Sequence, residues 1–147
     1  MNMKEISFNS VVSLFGTFVT YWLGGWDQAL KFLVAFMVID YITGVLVAIK
    51  KKKLNSDIMF WGGIRKAVIL IVIAIAVMLD TLVGNDQPLI RTLAIMYYVG
   101  REGLSTIENI GALGVKIPSF ISEPVSKLSK VGEEENEIEK KEKSKKN

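Results

Sequence analysis

With no cysteine and no histidine among its 147 residues, the chain has no means for thiol chemistry, disulfides, Cys/His metal sites or a Ser-His-Asp nucleophile system. The groups left for chemistry are charges set in apolar surroundings. The acids are Asp40, Asp80, Glu102 and Glu108, and the nearby cations are Arg65, Lys66 and Arg101. The acids show no catalytic spacing and no cofactor motif accompanies them, so neither an enzyme activity nor a cofactor is expected. What these groups need is a partner. Asp40 sits at the centre of a 21-residue apolar stretch, where an acid costs ~2.5–3.5 kcal/mol on insertion scales unless it is paired, protonated or hydrated. Arg101, in the middle of a later membrane-length stretch and hence at similar depth, is the expected partner. Asp40 then either holds a closed assembly and responds when the membrane potential collapses, or makes a static contact between helices.

Four stretches must position these groups. Residues 6–26 carry no charge and are long enough to span, since ~20 residues cover a ~30 Å hydrocarbon core. Ser10, Ser13, Thr17, Thr20, Tyr21 and Gly24 line one helical face there. Such a segment either spans with its small face on protein or lies in the interface. The absence of Lys and Arg from its stripe favours spanning. Residues 29–49 hold Asp40, with Thr43 and Gly44 on the same face and Gly44 and Ala48 spaced for close helix packing. Residues 64–83 are nearly pure Ile, Val, Ala and Leu between Lys66 and Asp80. Residues 89–113 are apolar on one side only. Their Arg91, Tyr98, Arg101, Glu102, Ser105, Glu108 and Asn109 fall within roughly one third of the helix circumference. A stripe so charged faces other helices or water and not lipid. It is the seam of a closed bundle, the wall of an oligomeric pore, or each in turn.

Charge placement orients these stretches. Half of the residues are hydrophobic and the mean hydropathy is +0.36. Eleven charges lie between Glu133 and Lys146; without them 13 basic and 9 acidic residues remain, and six of the basic ones are Lys50, Lys51, Lys52, Lys53, Arg65 and Lys66. A short loop this basic marks the cytoplasmic side and a surface for anionic lipid, not nucleic acid. Leu54-Asn55-Ser56-Asp57 reads as a turn or helix N-cap, and Gly62-Gly63 as a helix-entry break. Gly84 to Pro88, with one acid and no base, belongs outside. No convincing small-x-small site follows the N-terminal apolar stretch, so a cleaved signal peptide is not expected.

The expected fold class is therefore an all-α integral membrane protein with three to four transmembrane helices and a charged C-terminal tail. A transmembrane domain covers 1–116 and an amphipathic juxtamembrane segment 117–131, with Ile121, Val125, Leu128 and Val131 as its apolar positions. Residues 132–147 form a Glu/Lys tail expected to be disordered. The C-terminus is cytoplasmic; the N-terminus is inside with four spans or outside with three.

One ordered set of residues carries a family resemblance: Asp40-x-x-Thr43-Gly44-x-x-x-Ala48, Leu54-Asn55-Ser56, Gly62-Gly63-Ile64-Arg65-Lys66, Asp80, Glu102-x-x-Ser105-x-x-Glu108-Asn109-x-x-Ala112 and Ile117-Pro118. Over residues 30 to about 120 it resembles the phage holins, the group that includes the clostridial toxin-secretion holins. The stretch before Ala29 matches nothing there, and the tail only the family's habit of a charged C-terminus. The resemblance implies a small protein of the bacterial host's cytoplasmic membrane that accumulates, oligomerises and opens lesions at a programmed time. An endolysin, or in some relatives a large toxin, leaves through them and the cell lyses. Size adds a constraint of its own. Three or four helices of ~10 Å diameter pack solid, and a hole ~40 Å across needs on the order of a dozen lining helices, so releasing a protein requires a large homo-oligomer. A small accessory subunit of a membrane transport complex is the competing expectation.

Overall fold

A computed structural model describes the backbone of residues 3–130 and the side chains of residues 8–130. Val131 and the Glu/Lys tail lie outside the described residues. The described residues form five helices and no strand: α1 (Met3–Trp22), α2 (Gln28–Lys50), α3 (Ser56–Val83), α4 (Leu89–Leu113) and α5 (119–130). By length and composition α2 and α3 can cross a membrane. α1 is diluted by Ser, Thr and Asn, and α4 by four charges, so the apolar runs alone mark two of the three to four expected spans.

Local chemistry sets the helix ends. Asp27 caps α2, its Oδ1 accepting from Leu30 N at 2.9 Å. Asn55 caps α3, accepting from Asp57 N at 2.8 Å and Ile58 N at 3.4 Å. α3 thus begins eight residues before the expected start at Ile64, and Gly62-Gly63 is helical and not a break. A glycine inside a helix costs only about 0.5–1 kcal/mol, which the cap and the continuous packing offset. Gly84, at φ +72°, ends α3 in the left-handed conformation that favours glycine.

α4 is the central helix. It packs against α2 on one side and α3 on the other, while α2 and α3 scarcely meet. Leu23, Leu30, Leu33, Met37, Ile73 and Ile95 form the buried core. The outward faces are apolar too, with Ile42, Leu46 and Ile49 exposed on α2 and Val68, Ile71, Ile75 and Leu82 on α3. Inside, by contrast, lie Asp80, Arg91 and Glu102. A soluble domain has the opposite distribution.

The remaining helices differ in how they attach. α1 shares no extended contact with another helix; Val19 and Leu23 at its end join the core, while Phe8, Leu14, Phe15, Phe18 and Tyr21 are exposed. α5 folds back antiparallel on α4, seated on two glycines. A Cβ at Gly100 would lie 2.5 Å from the backbone carbon of Leu128, and one at Gly103 2.8 Å from Cγ1 of Val125. The amphipathic pattern of the segment does not by itself reveal this seat.

Candidate functional site

Asp40 leaves α2 ten residues before Lys50, and Lys66 stands ten residues into α3 from Ser56. Each is therefore about 15 Å along its helix from the loop that joins the two. That common level brings them together: Lys66 Nζ donates to Asp40 Oδ2 at 2.7 Å and also to Glu102 Oε2 on α4. Side-chain exposure is 15% for Asp40, 16% for Lys66 and 11% for Glu102. Two turns further along α4, Asn109 Nδ2 donates to Asp40 Oδ1 at 3.0 Å and to Thr43 Oγ1 at 3.2 Å. Thr43 in turn donates to the Ile39 and Asp40 carbonyls. One ammonium thus ties three helices through two carboxylates, and both Asp40 oxygens have donors.

The cation that Asp40 meets is Lys66 and not Arg101, as the sequence had suggested. The reason is the early start of α3. Had the helix begun at Ile64, Lys66 would sit at its end; begun at Ser56, it is level with Asp40. Arg101, about 100° around α4 from Glu102, is exposed and lines the mouth of the cavity above the network. Ser105, Arg65 and Gly44 line the same cavity, whose volume is about 420 Å³. A Cβ at Gly44 would meet Asn109 Nδ2 at an ordinary 3.6 Å. Glu108 is exposed and stands apart. Of the basic loop, Lys50 Nζ donates to the Ala112 carbonyl at 2.9 Å, tying the ends of α2 and α4, Lys53 lines the cavity, and Lys51 and Lys52 are exposed.

Asp80 belongs to a second cluster at the opposite end of α4. Pro88, before α4, offers no side-chain cap, and Asp80 replaces one: Oδ1 accepts from Ile90 N at 3.0 Å and Oδ2 from Arg91 N at 2.8 Å. A carboxylate on a helix N-terminus is doubly favoured, by hydrogen bonding and by the macrodipole. Arg91, only 2% exposed, points back to the α1–α2 turn. It donates to the Leu23 carbonyl at 2.6 Å, the Gly25 carbonyl at 3.1 Å and Asp27 Oδ2 at 2.6 Å. The Arg91 guanidinium holds the Asp27 carboxyl below its usual range against the opposing pull of burial. Gly24 makes room for this, at φ +74° with Arg91 Nε 2.8 Å from where a Cβ would be. Sequence reasoning placed Arg91 on the polar stripe and overlooked Asp27. The signal was present in Gly24-Gly25-Trp26-Asp27, a glycine turn followed by a capping acid before an apolar run.

Among the described residues no group of three or more His, Cys, Asp and Glu is placed to hold a metal ion. No buried polar side-chain atom of the described residues lacks a partner. The arrangement is suited to holding helices together and to exchanging charge partners.

Comparison with known proteins places this geometry. The sequence profile of the bacteriophage holin family matches residues 17–130. A protein of Clostridium perfringens strain 13 is 41% identical over 118 residues, covering 80% of this chain and 87% of its own. One from Listeria monocytogenes is 34% identical over 127 residues, covering 86% and 90%. A protein of Bacillus phage phi105 described as a probable holin is 34% identical over 102 residues, covering 69% and 75%. No solved structure matches.

Proposed function

Because the chain is a membrane protein that belongs to the bacteriophage holin family, we propose that it accumulates in the host's cytoplasmic membrane and opens lesions there as a large homo-oligomer. An endolysin leaves through them at a programmed time and lysis follows; a large toxin is the alternative cargo. The basic loop and the C-terminus lie on the cytoplasmic side, and α2, α3 and α4 span. α1 supplies a fourth span, with its exposed Phe8, Phe15 and Phe18 toward lipid.

The observation that carries the reading is the inverted charge distribution. Apolar faces look outward, while Lys66 ties Asp40 and Glu102 across three helices. Such a seam makes a closed, lipid-compatible resting state. Its charges can also take new partners: when copies meet, the α4 stripe of Arg101, Glu102, Ser105 and Asn109 turns from the seam of one bundle into the lining of a ring. A single bundle encloses no passage for a protein, which is why the oligomer is part of the proposal.

The test is a lysis cassette lacking its own pore former. Induction of this protein with a co-expressed endolysin is expected to collapse the membrane potential at a set moment and release the enzyme. Endolysin that stays inside intact cells while the protein accumulates in the membrane would refute the reading and favour an accessory subunit.

A further inference from the structure

The cavity above the Asp40–Lys66–Glu102 network carries more positive charge than the network needs. Setting Arg101 aside, its walls hold Lys53, Arg65 and Lys66 against Asp40 and Glu102, a net charge of +1. Lys66 is committed to the two carboxylates at the floor, and Lys53 and Arg65 enter none of the ion pairs among the described residues. Charges of one sign between low-dielectric walls focus their field into the space between them. The volume of about 420 Å³ lies within the range of small-ligand sites. Two guanidiniums and an ammonium around one space are suited to a phosphate, which arginine grips with paired hydrogen bonds and lysine as a point charge.

We propose that this cavity, between α2, α3 and α4 at the Lys50–Lys53 end, is a binding site for a phosphate group, held by Arg65, Arg101 and Lys53. The surroundings favour a phospholipid headgroup as its source. Ile58 in the wall is an exposed apolar side chain against which acyl chains can lie, and Trp61, three residues on along α3, is exposed too. Basic pockets between membrane helices take anionic headgroups on the same electrostatic grounds. Lys51 and Lys52 of the same loop do not line the cavity, and the site stands independently of lysis.

The experiment uses the full-length protein in nanodiscs of phosphatidylcholine doped with phosphatidylglycerol. Bound lipid is counted by mass spectrometry at one fixed ionic strength for all variants, since salt screens exposed charges. The wild type is expected to retain phosphatidylglycerol preferentially, and Arg65→Gln/Arg101→Gln to lose that preference by about tenfold or more, the loss of at least one charge-assisted contact. Arg65→Lys/Arg101→Lys, which keeps the charge and controls for folding, retains part of it. Lys51→Gln/Lys52→Gln removes the same charge outside the cavity and leaves the preference in place. Displacement of the lipid by millimolar inorganic phosphate supports the phosphate site and assigns it to the free anion. No preference in the wild type, or equal loss in the Lys51→Gln/Lys52→Gln control, overturns it.

Discussion

At the scale of single residues, the decisive feature is how few cations hold the interior. Lys66 serves two carboxylates on two other helices. Its replacement by methionine leaves Asp40 and Glu102 facing each other without a cation, a loss on the order of 3 kcal/mol for a largely buried network. Thermal unfolding in detergent is expected to show this for Lys66→Met. A double-mutant cycle between positions 40 and 66 should return a coupling of about 1 kcal/mol or more, with a smaller value between 40 and 101. Equal couplings would contradict the described pairing.

Arg91 has the corresponding role at the other end. It satisfies the Leu23 and Gly25 carbonyls as well as Asp27, so Arg91→Lys, with its single ammonium, cannot replace it. The Asp27 carboxyl, whose folded pKa is lowered from 3.8 chiefly by its hydrogen bond with Arg91, makes this tie pH-dependent with a definite sign. Its contribution is fully present above 3.8 and disappears as pH falls through the lower folded value. Acid titration of stability is therefore expected to lose a step below pH 3.8 in Asp27→Asn. An unchanged acid limb would show that Asp27 does not contribute.

At the scale of elements, two helices owe their place to features that their hydrophobic patterns do not display. α3 starts at Ser56 because Asn55 supplies the cap, and that start sets the level of Lys66. Asn55→Ala is expected to cost about 1 kcal/mol, read as a lowered midpoint in thermal unfolding. α5 sits on α4 because Gly100 and Gly103 present no side chain. Leucine at position 100 would overlap the backbone of α5 at Leu128 and Ser129, so Gly100→Leu should release the helix. Hydrogen exchange is expected to quicken over 119–130 while the α2–α4 core stays protected; unchanged protection of that segment would place the packing elsewhere.

At the scale of the whole molecule, the chain resembles a soluble bundle turned inside out, and the loops are where the proposed sidedness is tested. The absence of cysteine allows a clean test. Lys52→Cys is expected to react with an impermeant maleimide only when the cytoplasmic face is opened, and Asp86→Cys from outside in intact cells. The reverse pattern would invert the proposed topology. Much of this level was legible beforehand: the apolar runs of α2 and α3, the basic loop between them, and the polar stripe of α4 all come from local runs and periods, whereas the early start of α3 came from its cap. The partner of Asp40, the work of Arg91 and the seat of α5 were not, since each joins residues 26 to 68 positions apart or depends on the absence of a side chain.

The division has a physical cause. Composition excluded cysteine and histidine chemistry, apolar run length marked the helices able to cross a membrane, and charge placement supplied the proposed orientation, because each is a property of a segment against its solvent. Which charge meets which depends on the axial level of one helix against another. Caps at Asn55 and Asp27, glycines at 24 and 100, and the central position of α4 decide that level, and they act together only in the packed chain. The residues that need partners could be read from their surroundings alone; the partners themselves were settled by packing.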